Sequence, residues 1–139
     1  MSTPIHSIIS GSGCYLPTNK VLNNSFLNHD FYVSKGVPLE KENQEVVSKF
    51  LEITTIVERR HATGDLLTSD IAYFAALDAI ESSKTDIESF DYIIVAHNFG
   101  DIKHDNNRSD IVPSIAARVK HKLGIENPNT VAYDIIFGC

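Results

Sequence analysis

The chain has 139 residues, enough for one domain with a sizeable core, and its 42% apolar and 22% charged content is that of a globular protein. A net charge of −6 argues against non-specific nucleic-acid binding, and no apolar run approaches the ~20 residues of a membrane span. Two cysteines, Cys14 and Cys139, make neither a disulfide framework nor a zinc site, and with no signal-peptide pattern in the opening residues a reducing cytoplasm is the expected location.

Residues 6–12 are short, β-branched and bounded by Gly11 and Gly13, which predicts a first strand. A turn follows through Pro17 and Asn19, and Asn23 or Asn24 is a candidate cap for a short helix through Phe26 and Leu27. Residues 29–39 mix aromatics with Gly36 and Pro38 and read as an irregular loop. Residues 40–53 predict a helix with Val46, Val47, Phe50, Leu51 and Ile53 on its apolar face. Residues 56–62, with Arg59 and Arg60, read as extended. Thr68 or Ser69 is expected to cap a helix to about Ser83 that is apolar nearly all round and therefore deeply buried. Residues 92–96 are apolar on both faces, as in a parallel strand, and residues 97–112 read as a long polar loop. Pro113 opens a helix to Leu123 that Gly124 ends. The last strand, from Thr130, runs into Gly138 and Cys139. Strands alternating with buried helices predict a layered α/β fold.

Reactive groups collect at the carboxyl ends of strands in α/β sheets, so Cys139 at a strand exit is a candidate thiolate nucleophile. The alternative is an ordinary buried cysteine at the end of a small, catalytically inert α/β binding or assembly module. His97 and Asn98, at the exit of the other strand, are candidates to line a substrate cavity or to satisfy local backbone groups. Asp101, His104 and Asp105 could be drawn as a metal cluster, but lack a second ordered ligand set and read as a solvated loop, so no metal is expected. Arg59 and Arg60 suit either a phosphate or a structural ion pair. Arg118, Lys120, His121 and Lys122 form either a basic docking face for an acidic partner or a solvated helix surface. Asp134, inside an apolar strand, reads as a hydrogen-bonded structural residue, and Gly11-Ser12-Gly13 is too short for a dinucleotide loop.

Several stretches in order resemble the N-terminal half of β-ketoacyl-acyl-carrier-protein synthase III, a condensing enzyme of the thiolase superfamily. They are Gly11-Ser12-Gly13-Cys14-Tyr15-Leu16-Pro17 with Val21-Leu22-Asn23, then Ile56-Val57-Glu58-Arg59-Arg60, and Thr68-Ser69-Asp70-Ile71-Ala72. Asp91-Tyr92-Ile93-Ile94-Val95-Ala96, Pro113-Ser114-Ile115-Ala116-Ala117-Arg118-Val119 and Asp134 with Cys139 complete the set. The resemblance implies a thiolase-like layered α-β-α fold, with a mixed, largely parallel sheet and buried helices. Residues 1–139 would be its N-terminal domain, completed by a C-terminal half that brings a catalytic histidine and asparagine. It also implies an acyltransferase that condenses acyl thioesters through an acyl-Cys139 intermediate, in fatty-acid or specialised lipid synthesis. The thioesters would arrive on coenzyme A or an acyl carrier protein, with no other cofactor. A homodimer is implied as well, in which the loop carrying Val112 approaches the partner's acyl pocket. The chain departs from the family at Lys49, Ile53, Thr55 and Phe137-Gly138 and in its long loop 97–112. These departures fit a diverged ketosynthase of specialised lipid or polyketide synthesis, such as the alkylresorcinol-type enzymes.

Overall fold

A computed structural model describes residues 6–137. In chain order the elements are β1 (Asn19–Leu22), a 3-10 turn (Asn23–Phe26), β2 (Tyr32–Ser34), β3 (Val37–Pro38), α1 (Asn43–Thr54), β4 (Glu58–His61) and α2 (Thr68–Ser83). A second 3-10 turn (Ile87–Ser89), β5 (Tyr92–His97), β6 (Asp101–Lys103), β7 (Asn106–Asp110), α3 (Ile115–Leu123) and β8 (Val131–Ile136) follow. They divide into two compact units, residues 6–15 with 64–137, and Leu16–Thr63.

In the first unit β5 and β8 pair in parallel, from Tyr92↔Val131 to His97↔Ile136, and α3 connects them. Parallel partners point to the same side of a sheet. Ile93, Val95 and His97 therefore share a face with Ala132 and Asp134, and this is the more buried face, packed against α3. Ile115, Ala116 and Val119 of α3 are almost wholly buried and form the centre of this core. The opposite face leaves Tyr92, Ile94, Val131, Tyr133 and Ile135 between 41% and 63% exposed, so β5 is not covered on both sides as its apolar sequence predicts. The Ser114 hydroxyl caps α3 by accepting from Ala117 N, and Gly124 ends the helix in the left-handed region.

Helix α2 occupies the predicted span, but its start is built differently. Leu67 is the cap residue, and its N–H donates to the Asp70 carboxylate at 2.9 Å. The Thr68 and Ser69 hydroxyls, expected as caps, donate instead to Gly100 O and to Asp101. Only Ser69 of this helix is buried, and Leu77 is 41% exposed, so the deep burial predicted from its composition is not found among the described residues.

The predicted first strand is also absent. Residues 6–18 form no strand, and Ile8 and Ile9 are 86% and 91% exposed. A β-branched segment becomes a strand only where a neighbour accepts its hydrogen bonds, and no described strand does so here. This segment instead crosses α2 closely enough to require glycine: a Cβ on Gly13 would sit 2.2 Å from Ala79 N, and one on Gly11 2.6 Å from Ser83 Cβ. The predicted polar loop 97–112 contains the antiparallel hairpin β6–β7. Its strands are Asp-Ile-Lys and Asn-Asn-Arg-Ser-Asp, so they carry no alternating apolar pattern to announce them.

In the second unit β1 pairs antiparallel with β4, Asn19↔His61 to Leu22↔Glu58. The segment 29–39, expected to be irregular, holds the hairpin β2–β3, turned by Lys35 (φ 41°) and Gly36 (φ 82°). Two successive positive φ values match the right-handed twist of a tight hairpin. Asn23 caps no helix: its amide donates to Ile56 O and accepts from Arg59. Helix α1 buries Val46 and Val47, whereas Phe50, Leu51 and Ile53 remain 41–69% exposed, since α1 packs chiefly on the 3-10 turn Asn23–Phe26. Thr55, one of the positions where the chain departs from the resembled family, is the left-handed C-cap of α1 at φ 55°, a conformation that favours glycine.

Candidate active site at the strand exits

The carboxyl ends of β5 and β8 lie side by side, and one carboxylate ties them to the helix between them. Asp134, almost fully buried, accepts from Ile115 N and Ala116 N, both at 2.7 Å, and from His97 Nε2 at 2.9 Å. An anion beneath the first turn of a helix satisfies orphan N–H groups and opposes the positive end of the helix dipole. Burial alone would push the Asp134 carboxyl up. The N–H donors of Ala116, His97 and Ile115 outweigh it and hold the carboxyl below the ordinary aspartate value. Asp134 is thus the hydrogen-bonded structural residue expected from the sequence.

His97 is oriented from both nitrogens. Gly100 N–H points at Nδ1 from 2.9 Å, so Nδ1 is the acceptor and Nε2 carries the proton given to Asp134. The His97 carbonyl accepts from Phe137 N at 3.0 Å, joining the end of β5 to the residue after β8. His97 lies at the strand exit as anticipated, but its ring serves the backbone of Gly100 and the carboxylate of Asp134. Gly100 has φ 70°, and a Cβ there would meet Asp110 O at 2.6 Å, so glycine is demanded at this turn. Phe137 itself sits at φ 55°, an uncommon conformation for a bulky side chain, with its ring edge-on to Phe99 at 6.1 Å. Asn98 is exposed, and Val112 is 79% exposed. Cys139, the expected nucleophile, and Gly138 lie outside the described residues.

A second buried carboxylate anchors the hairpin. Asp101, 2% exposed, accepts from Ser69 N and Ser69 Oγ at 2.8 Å and from Arg118 Nη1 at 2.7 Å. The other guanidinium nitrogens of Arg118 reach Asp110 Oδ1 at 2.7 Å and Pro113 O at 3.0 Å. The bond to Arg118 holds the exposed Asp110 carboxyl below its usual value. This network was hidden in the sequence because its members are far apart, and Asp101, expected in a solvated loop, is buried because Ser69 and Arg118 satisfy it. Among the described residues no group of three or more His, Cys, Asp or Glu is placed to hold a metal ion.

The basic stretch of α3 is largely spent internally. Besides Arg118, Lys120 donates to Asn127 O and Thr130 O, and Lys122 pairs with Asp70 at 2.8 Å. Arg60 pairs with Glu58, which also binds Lys20, whereas Arg59 bonds Asn23 and lies over the Phe26 ring. No helix among the described residues is long and apolar enough to cross a membrane.

No protein-family model matches the sequence. Solved structures do match. A β-ketoacyl-acyl-carrier-protein synthase III from Thermus thermophilus aligns over 96% of this chain and 34% of its own, at 27% identity and a TM-score of 0.66. A 3-oxoacyl-acyl-carrier-protein synthase III from Aquifex aeolicus VF5 aligns over 92% of this chain and 34% of its own, at 24% identity and a TM-score of 0.65. The priming β-ketosynthase of the R1128 polyketide pathway aligns over 92% of this chain and 31% of its own, at 20% identity and a TM-score of 0.65. The chain spans about a third of the length of these structures. Its fold is that of a synthase III-like, thiolase-type α/β protein, and the structures it resembles are condensing enzymes.

Proposed function

We propose that this chain is the nucleophile-bearing part of an acyltransferase that joins two acyl thioesters by Claisen-type condensation. Cys139 is the acyl carrier. Its thiolate attacks the carbonyl of a first thioester; the new S–C bond forms as the C–S bond to the delivering coenzyme A or carrier protein breaks, and that group leaves as a thiolate. A second thioester loses carbon dioxide, and the electron pair left on its α-carbon attacks acyl-Cys139. The C–C bond forms and the bond to the Cys139 sulfur breaks, returning the thiolate. Oxyanions develop in both steps and require fixed donors. The histidine and asparagine expected for that role belong to a C-terminal portion beyond this chain.

One observation carries the reading: a likeness to condensing enzymes over more than nine-tenths of a chain whose sequence has a cysteine three residues after the parallel strand β8. His97 and Asp134 act here as positioning residues, tying both strand exits to α3 and Gly100. Coenzyme A or an acyl carrier protein delivers the acyl groups, in the cytoplasm, to a homodimer in which Val112 lies near the partner's pocket. Lys49, where the fatty-acid-initiating members usually have a tryptophan contacting coenzyme A, and Ile53, where they have an arginine, favour a specialised lipid or polyketide pathway. The test is mass spectrometry of the intact protein after incubation with a panel of acyl thioesters. An adduct of acyl mass that disappears in Cys139→Ala supports the proposal, and an adduct unchanged in that variant refutes it.

A further inference from the structure

The second unit holds a cavity of about 220 Å³ lined by Asn23, Phe26, Phe31, Val47, Phe50 and Arg59. Three walls are aromatic; Phe31 and Phe50 meet edge to face at 5.8 Å, and the Arg59 guanidinium stands 5.5 Å above the Phe26 ring. The polar side chains are Asn23 and Arg59. Both ends of the Asn23 amide are used, with Nδ2 donating to Ile56 O at 2.8 Å and Oδ1 accepting from Arg59 Nη1 at 2.9 Å. Arg59 has donors to spare.

Arg59 also has no carboxylate partner among the described residues, and strand geometry explains why. Side chains alternate along β4, so Glu58 and Arg60 point to one side and Arg59 to the other. Glu58 is engaged on its own side by Lys20 at 3.0 Å and Arg60 at 3.4 Å. A guanidinium half withdrawn from water beside three phenyl rings gains from a counter-ion, and its planar fork suits a carboxylate.

We propose that this cavity binds a small monocarboxylate carrying one aromatic ring. An apolar cavity of about 150 Å³ accommodates benzene. The larger volume here takes one ring plus a short arm that brings the carboxylate to Arg59. The rings offer edge-to-face contacts to an aromatic body. A single unpaired cation selects a monoanion over a dianion, and a neutral aromatic would leave the guanidinium unpaired. The site lies wholly within Leu16–Thr63 and does not depend on the chemistry of Cys139.

Phenylacetate, phenylacetamide and acetate, titrated into the isotope-labelled chain at constant salt and followed by amide NMR shifts, test this. Phenylacetate is expected to saturate the shifts of Asn23, Phe26 and Arg59 with a Kd at least tenfold below that of phenylacetamide or acetate. Arg59→Gln, which keeps an amide for Asn23, should erase the preference for acid over amide. Val47→Phe, which fills the cavity and leaves Arg59 in place, should abolish binding of both. Equal affinity for acid and amide, no saturation by phenylacetate, or an unchanged preference in Arg59→Gln would overturn the proposal. The acid–amide comparison needs no variant, so it decides even if Val47→Phe fails to fold.

Discussion

Replacing Asp134 with alanine is expected to cost more stability than any other single polar substitution in the first unit. Three donors lose their acceptor at once. Ile115 N and Ala116 N belong to residues that are 0% exposed, and His97 is nearly as buried. A buried donor left unpaired costs ~1–3 kcal/mol, and the lost carboxylate beneath the α3 dipole adds ~0.3–1 kcal/mol. Some relaxation of the first helical turn reduces the sum, to an expected loss of about 4 kcal/mol. Asp134→Asn keeps one acceptor oxygen but turns an NH2 group toward an N–H donor, for a loss of about 2 kcal/mol. The difference from wild type depends on pH. The folded-state pKa of Asp134 is lowered, so the carboxylate contributes its full stability above the unfolded-state value near 4. That contribution disappears as pH falls through the folded-state pKa. Urea unfolding followed by far-UV circular dichroism should therefore show a large gap between wild type and Asp134→Asn at pH 7 that narrows toward pH 2.5. A loss below about 1 kcal/mol for Asp134→Ala, or a gap that does not change with pH, would refute the assignment of Asp134 as the anionic cap of α3.

Thr55→Gly should stabilise the chain by about 1 kcal/mol in thermal or urea unfolding, because it removes a β-branched residue from a left-handed C-cap. Arg118→Met should destabilise by about 3 kcal/mol, since it leaves the buried Asp101 carboxylate with Ser69 as its remaining donor residue, and adding Asp101→Asn should recover part of the loss. Gly13→Ala should cost about 3 kcal/mol, because the new methyl would overlap the α2 backbone at Ala79 N and Ala75 O; a melting temperature within a degree of wild type would contradict the close crossing.

What could be read from sequence follows the physics of each element. Helix α2 and strands β5 and β8 were legible because apolar runs bounded by polar caps and turns leave few alternatives. Pro113 and Gly124 bracketed α3 within two residues. The hairpin β6–β7 was not legible, because its pairing is carried by main-chain bonds and anchored by Asp101 to Ser69 and Arg118, partners 32 and 17 residues away. Residues 6–12 are β-branched yet form no strand, because strand formation needs a neighbour that local sequence cannot supply. At the site, a carboxylate inside an apolar strand announced that Asp134 must be satisfied, without saying by which donors. His97 announced a strand exit, but its tautomer is fixed by Gly100 and Asp134, partners that the folded chain alone brings to it. Burial was the least legible quantity, since the apolar faces of α1, α2 and the outer side of β5–β8 stay partly exposed.

The central claim is that Cys139 carries the acyl group, and its direct measurement is the intact mass of the protein after exposure to acyl thioesters, compared among wild type, Cys139→Ala and Cys14→Ala. Cys14 is an exposed free thiol and serves as the control for indiscriminate acylation. The account predicts one acyl adduct in wild type and in Cys14→Ala and none in Cys139→Ala. An adduct that persists in Cys139→Ala and vanishes in Cys14→Ala would contradict it.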